Sequence, residues 1–144
     1  MKNDGTIVDT DGISEVAFTS ATSGTGYYIV VRHRNHLAIM SANPQVLLSG
    51  TNVNPLHDFS TGLSQAYTQG GTAMKLIKTG VYGMYDADGN ADGQITAADY
   101  VTVWRPQNGS VGYKSADYNL DAQVTAADYV TFWRPNNGNV TQVP

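Results

Sequence analysis

The sequence has no cysteine, a single glutamate and few basic residues. Without cysteine, a disulfide framework and a thiolate metal site are both excluded. Eight Lys and Arg spread over 144 residues, with a net charge of -4, give no basic surface for a nucleic-acid backbone. No apolar run approaches the roughly 20 residues of a membrane-spanning helix. We therefore expect no nucleic-acid partner and no membrane insertion.

Aspartate is abundant instead, and it is clustered. Seven of the aspartates fall between residues 86 and 128. Aspartate is a residue of turns, helix caps and hard-cation sites rather than of helix interiors. The clustering indicates loops that hold a cation. Bound calcium could replace the missing disulfides in stabilising an extracellular chain.

Residues 1–85 have a pattern of strands and turns. "SEVAFTS" (14–20) alternates with period two, "GYYIVVRHRNHLAIMSA" (26–42) is rich in β-branched and aromatic residues, and "QVLLSG" and "TAMKLIKTGVYGMY" are short runs bounded by turn residues. We predict a mainly β chain with a small α part, in which this segment forms an antiparallel β-sandwich. Four or five strands would leave the sandwich incomplete, and exposed edges tend to pair with another strand.

Residues 86–138 contain a duplicated segment. "DADGNADGQITAADYVTVWRP" (86–106) returns 29 residues later as "SADYNLDAQVTAADYVTFWRP" (115–135). In each copy "TAADYVT" begins a helix that the proline of "RP" must end within about two or three turns. Residues 139–144 are expected to form a polar tail.

Each copy places oxygen-bearing residues at positions 1, 3, 5, 7, 9 and 12 of a loop, which is the pattern of a calcium-binding loop. Position 7 contributes its backbone carbonyl. The ligands predicted for the first loop are Asp88, Asn90, Asp92, Gln94, Thr96 and Asp99. Those predicted for the second loop are Asp117, Asn119, Asp121, Gln123, Thr125 and Asp128.

The two loops differ at position 6, where the first has Gly93 and the second has Ala122. This position normally needs a positive φ, which costs a residue with a Cβ atom roughly 1 kcal/mol. We therefore predict two calcium ions, with the second bound more weakly. Helix capping by the threonine at position 9 and the aspartate at position 12 is the alternative explanation. Capping accounts for two residues per loop but not for positions 1, 3 and 5.

Four aromatic residues recur in the two helices. Tyr100 and Trp104, like Tyr129 and Trp133, are spaced i, i+4 and so share a helix face. One interpretation is a small aromatic core that joins the two copies. The other is a partner-binding surface displayed twice.

Three histidines raise an enzymatic alternative, in which the chain is the C-terminal fragment of a secreted hydrolase. On one continuous strand, His33 and His36 would point to opposite faces unless a turn intervenes. His57 is distant in sequence, and neither His33 nor His36 has an acidic neighbour in the chain. We therefore expect no catalytic residue and no enzyme activity.

The duplicated loops resemble those of type I dockerin modules, which carry paired D-x-N-x-D-G-x-[IV]-x-x-x-D motifs. Residues 88–99 match this motif fully, and residues 117–128 match it except at Ala122. The resemblance implies two calcium ions in EF-hand-like loops, a pseudo-twofold pair of helices and a non-catalytic docking role. More loosely, "YYIVVRHRNHLAIMSA", "DFSTG" and "WRPNNGNV" are similar to C-terminal regions of secreted or surface proteins of Bacteroidota-type bacteria.

These observations predict a non-enzymatic, calcium-stabilised docking or structural module, located outside the cell or on its surface. Its partner would be another protein or further copies of itself. The start "MKNDGTIVDTDG" has no apolar signal-peptide core, so either the protein is not secreted or the chain is the C-terminal piece of a longer precursor, and we expect the second. The alternative is a self-assembling filament or surface-layer subunit joined by β-strand complementation.

Overall fold

A computed structural model describes residues 9–14, 16–48 and 57–144 of the chain. The described strands pair as three two-stranded antiparallel sheets, β1 with β4, β2 with β3 and β5 with β6. Two single-turn 3-10 helices, Phe59–Thr61 and Leu63–Gln65, lie between β4 and β5. The strands are β1 (Thr25–Tyr27), β2 (Val30–His33), β3 (His36–Met40), β4 (Gln45–Leu47), β5 (Met74–Lys78) and β6 (Val81–Met84).

Small antiparallel sheets with two short helices agree with the predicted mainly β class, but the β-sandwich is not confirmed. The strands are only three to five residues long, and each pairs with one other strand. The alternating run at 14–20 is not a strand in its described residues, where Phe18 is 69% exposed. No strand or bridge among the described residues pairs with this run, so its alternation does not produce a strand there. The first eight residues and the end of the 45–50 run lie outside the described residues.

Strand β3 lies between two hydrophobic clusters formed by the described residues. Its residues 37–40 are all buried, so neither face of the strand is open to water. Leu37 packs into a cluster formed with residues of the duplicated segment. Ile39 packs into a second cluster with Ala66, Ala73 and Met74 of the β region. The near-continuous apolar run of this strand therefore packs the described part of the β region against the duplicated segment.

The two helices span residues 97–107 and 126–136. Their central parts, Asp99–Trp104 and Asp128–Trp133, are π-helical, and the last turns, Arg105–Gln107 and Arg134–Asn136, are α-helical. The N–H of Arg105 donates to the carbonyl of Tyr100, five residues back, and Arg134 does the same to Tyr129.

Proline sets the length of both helices. Pro106 and Pro135 have no N–H group to donate within the helix. A π-helical turn precedes each proline, and each helix ends one residue after it. The predicted length of two to three turns is confirmed. In the described part of the chain, no helix combines the length and hydrophobicity needed to cross a bilayer.

Candidate functional site

Loop one, residues 88–99, is a series of turns stabilised by its own polar side chains. Asp88 accepts the backbone N–H of Asp92 through Oδ1 and that of Gly93 through Oδ2, both at 3.1 Å. The Oδ1 atom of Asn90 accepts the same Asp92 N–H at 3.1 Å. Asp92 in turn accepts the N–H of Gln94 at 2.9 Å. The side chains at positions 1, 3 and 5 therefore all bond to the loop backbone.

The aspartate at position 12 closes the loop from the helix. Asp99 accepts the N–H of Asn90 at 3.2 Å and that of Thr96 at 2.7 Å, so its carboxylate spans the two ends of the loop. The hydroxyl of Thr96 accepts the N–H of Ala98 at 3.2 Å, which caps the helix. Both capping bonds predicted for Thr96 and Asp99 are present, but Asp99 also reaches position 3, which capping alone does not require.

Loop two, residues 117–128, repeats these bonds. Asp117 accepts the N–H groups of Asp121 and Ala122, both at 3.1 Å. Asp128 accepts the N–H groups of Asn119 at 3.3 Å and Thr125 at 2.8 Å. The two copies therefore fold alike.

Ala122 adopts the positive φ predicted for position 6. Its φ is 66°, against 86° for Gly93 in loop one. Position 4 is also left-handed in both loops, with φ values of 58° at Ala91 and 63° at Leu120. Left-handed backbone at residues with a Cβ atom is sterically unfavourable, so the rest of each loop must compensate for it.

Four carboxylates of the two loops are buried. Asp99 and Asp128 have no exposed surface, and Asp88 and Asp117 are 3% and 2% exposed. In residues 9–14, 16–48 and 57–144 the ion pairs are Arg34 with Asp117 and Lys75 with Asp86, so the other three loop carboxylates have no basic partner there. Burial, together with the negative charges of Asp99 and Asp92, raises the pKa of Asp88 to about 6.

The acidic side chains do not by themselves form a metal cage. Among the residues that the structure describes, no three acidic, histidine or cysteine side chains are grouped as metal ligands. The predicted ligand set contains only three carboxylates per loop, and the rest are amide, carbonyl and hydroxyl oxygens. A carboxylate has about four acceptor positions. Asp88 uses two of them for backbone N–H groups, which leaves acceptor capacity for a cation.

The aromatic core predicted between the two copies is present. Tyr100 stacks on Trp104 with ring centroids 5.4 Å apart, and Tyr129 stacks on Trp133 at 5.3 Å. The two tyrosine rings lie 4.7 Å from each other across the helix pair. Trp104 and Trp133 are 9% and 8% exposed, so most of their surface is used inside the protein.

The indole N–H groups connect each helix to the opposite loop. Trp104 Nε1 donates to the carbonyl of Thr125 in loop two, and Trp133 Nε1 donates to that of Thr96 in loop one, both at 3.0 Å. These contacts are reciprocal, as expected for a pseudo-twofold pair. Since both threonines stand at position 9, each tryptophan contacts the same point of the other copy.

Short extended segments also pair with the opposite loop. The linker after the first helix pairs with loop two, where Val124 N–H donates to Ser110 O at 2.9 Å. The segment after the second helix pairs with loop one, where Ile95 N–H donates to Asn139 O at 2.9 Å. The expected polar tail also contacts the β region. The side-chain oxygen of Gln142, a buried residue, accepts the N–H groups of Gln69 and Gly71 at 2.9 and 3.1 Å.

The turn between β2 and β3 contacts the start of both loops. Asn35 is fully buried, and its Nδ2 donates to the carbonyls of Ser115 at 3.1 Å and Asp117 at 2.7 Å. Its own carbonyl accepts the N–H of Ala87 at 2.9 Å. Asp86, just before loop one, pairs with Lys75. Sequence reasoning missed Asn35 and Lys75, because their partners are distant in sequence and no local pattern marks them.

Among the described residues, none of the three histidines forms an ion pair with an acidic side chain. A turn at Arg34 and Asn35 interrupts the strand, so His33 and His36 face each other with their Nδ1 atoms 2.9 Å apart, rather than on opposite faces. Burial lowers the pKa of His36 to about 4, with the charges of His33, Lys75 and Arg34 adding to the shift. His57 lies elsewhere and bonds to the carbonyl of Gln65 at 3.1 Å.

No protein-family model, no curated protein and no solved structure matches this chain.

Proposed function

We propose that this chain is a calcium-stabilised, non-enzymatic structural or docking module, and that two calcium ions fix the duplicated segment against the β region. One observation carries the proposal: three buried loop carboxylates have no basic partner among the described residues. Burying an ionised carboxylate is costly unless a cation or strong hydrogen bonds compensate for it. A divalent cation in each loop would supply that charge.

The residues at the two loops suit calcium better than other common metals. They offer carboxylate, amide, carbonyl and hydroxyl oxygens, and neither sulfur nor imidazole, which is the donor set of a hard cation. In loop one the ion would be held by Asp88, Asn90, Asp92, the Gln94 carbonyl, Thr96 and Asp99, and in loop two by the residues 29 positions later. Bound calcium would tie both ends of each loop to the following helix.

The docking role and the location outside the cell are supported by the loop resemblance. The same resemblance favours an extracellular or cell-surface setting, where calcium is abundant. The contact of Asn35 with the duplicated segment, and that of Gln142 in the C-terminal tail with the β region, are consistent with a rigid module that presents a surface. No residue in the proposal has a role in bond-making chemistry.

Thermal melting tests the calcium proposal. An ion that binds only the folded state at about 100 times its Kd stabilises by about 2.7 kcal/mol, which corresponds to roughly 5–10 °C in Tm for a chain of this size. We expect that rise with calcium over chelator, a smaller rise with magnesium, and a calorimetric stoichiometry of two. Unchanged melting together with no heat of binding would refute the proposal.

Self-assembly through β-strands is a second candidate, favoured by exposed apolar residues on the strands. Leu76 and Ile77 of β5 are 59% and 55% exposed, and among the described residues β5 pairs with β6 alone. Phe18, Tyr28 and Leu47 also line an apolar groove of about 360 Å³ beside β1. Light scattering after size exclusion distinguishes the two states. A monomer at every protein concentration, with and without calcium, would eliminate this candidate.

A further inference from the structure

A positive charge from the β region lies beside loop two. Arg34, in the turn between β2 and β3, places Nη2 3.7 Å from Oδ2 of Asp117, the residue at position 1 of the loop. The Arg34 side chain is 20% exposed and that of Asp117 is 3% exposed. The pair is therefore shielded from water more than an ordinary surface ion pair.

Two further contacts keep the guanidinium in place. Arg34 Nε donates to the carbonyl of Lys114 at 3.3 Å. The guanidinium carbon lies 3.8 Å from the centroid of the Tyr113 ring, a cation–π distance. The neighbouring Asn35 amide donates to the Asp117 carbonyl at 2.7 Å, which fixes the turn against the loop. The charge is thus built into the structure beside a predicted calcium ligand.

Loop one has no equivalent charge among the described residues. Asp88 occupies the position that corresponds to Asp117, and no basic side chain in the described ranges forms an ion pair with it. The nearest ion pair in sequence joins Lys75 to Asp86, two residues before the loop begins. The two loops therefore differ in electrostatic surroundings although their internal bonds agree.

We infer that Arg34 acts as an internal competitor of calcium at loop two: it neutralises Asp117 when the ion is absent and repels the ion when it binds. This inference rests on the proposed calcium binding. A fixed positive charge several ångströms from a divalent ion reduces its affinity by roughly three- to tenfold, given the effective dielectric near a protein surface. Loop two is then the lower-affinity site. It binds and releases calcium as the calcium concentration changes, while loop one stays occupied.

Calorimetry on a chain with only loop two active tests the inference. In an Asp88→Asn, Asp92→Asn background, Arg34→Gln should bind calcium about three- to tenfold more tightly, because the repulsion is removed. Arg32→Gln is the matched control, since Arg32 lies on β2 with an exposed side chain and the same charge is lost. We expect it to change the affinity by less than about twofold. Unchanged or weaker binding in Arg34→Gln would overturn the inference, since weaker binding would mean that Arg34 orients Asp117 as a ligand.

A second variant protects the test against misfolding. Tyr113 is 81% exposed, so Tyr113→Leu leaves the core intact and releases the guanidinium from its ring contact. We expect affinity at loop two to rise by about two- to threefold, and no rise would count against the inference. If the unmodified chain binds calcium at neither loop, the proposed function is wrong. Binding at both loops with no response to either variant would overturn the competitor role alone.

Discussion

Loop one and loop two have nearly the same backbone and internal hydrogen bonds, but different residues produce them. Position 6 is left-handed as Gly93 with φ 86° in one and as Ala122 with φ 66° in the other. Position 4 is left-handed as alanine in the first loop and leucine in the second. The turn-forming bonds of the aspartates and asparagines are sufficient to hold this conformation without glycine at position 6.

The residue that faces position 6 of each loop limits the size of the side chain that position 6 can carry. Thr141 N–H donates to the Gly93 carbonyl, and Gly112 N–H donates to the Ala122 carbonyl, both at 2.8 Å. A Cβ atom on Gly93 would lie 3.1 Å from Cγ2 of Thr141. In loop two the residue equivalent to Thr141 is Gly112, which has no side chain. Each copy therefore has one glycine at this contact: Gly93 faces Thr141 at loop one, and Gly112 faces Ala122 at loop two.

Charge is the second difference between the loops. Asp117 has Arg34 nearby, whereas Asp88 has no basic partner among the described residues. A loop with an internal counter-charge gains less from a bound cation, since part of its electrostatic cost is already offset. Two loops with the same predicted calcium ligands can therefore differ in predicted affinity through residues outside the loops.

The largest expected difference between the loops is in their response to calcium. Asp88→Ala with Asp92→Ala should abolish more than half of the calcium-induced rise in Tm, because loop one has no alternative cation. Asp117→Ala with Asp121→Ala should remove less than half. The rise with calcium over chelator is the quantity to compare, since each substitution also removes hydrogen bonds that stabilise the metal-free loop. Equal losses from the two pairs would show that the loops are equivalent.

A smaller effect is expected at position 6. Gly93→Ala should reduce calcium affinity at loop one by more than about 1 kcal/mol, since strain at positive φ adds to the contact with Thr141. Ala122→Gly should tighten loop two by at most about 1 kcal/mol, because that loop has no such contact to relieve. Both values are measured by calorimetry.

A double variant separates the two causes. Thr141→Ser removes Cγ2 and keeps the hydroxyl, which donates to the Ala38 carbonyl at 2.9 Å. In the Gly93→Ala background it should restore the part of the affinity that was lost to crowding. If Thr141→Ser restores none of the lost calcium affinity, the loss arises from backbone strain alone. The size of the residue that faces position 6 then has no effect on the affinity.

Features set by neighbouring residues could be predicted from the sequence. The positive φ at Ala122, the helix length set by proline, and the contact of Tyr100 with Trp104 all depend on residues within a few positions of each other. The turn bonds of Asp88 and Asp117 follow from the same short-range spacing. The location and internal geometry of the candidate site were therefore accessible without knowledge of the fold.

Features that depend on distant contacts were not predictable. The amide of Asn35 meets Asp117, and Gln142 meets Gly71, across most of the chain, and neither residue belongs to a recognisable motif. For "RHRNH" the sequence leaves both a continuous strand and a turn open, and the structure has a two-residue turn whose Arg and Asn contact the duplicated segment. The β-sandwich was expected because strand periodicity reports burial on one face and not which strands pair.

The smallest expected effect is spectroscopic, and it follows from the crossed contacts of the tryptophans. Trp104 lies on the helix after loop one but donates to Thr125 of loop two, and Trp133 does the reverse to Thr96. In Trp133→Phe the remaining indole should report on loop two, and in Trp104→Phe it should report on loop one. Removal of the proposed calcium ions should loosen these buried contacts, so we expect emission to shift to the red in both chains.

The order of the two titrations sharpens the comparison. Because loop one is expected to bind more tightly, the blue shift of the Trp104→Phe chain should be complete at lower calcium than that of the Trp133→Phe chain. Adding Asp88→Asn to Trp104→Phe should move its transition to higher calcium, while the same substitution in Trp133→Phe should change the midpoint less. Coincident transitions in both single-tryptophan chains would mean that the indole contacts couple the loops into one binding unit. The two loops of the intact protein would then fill together, without a measurable difference in affinity.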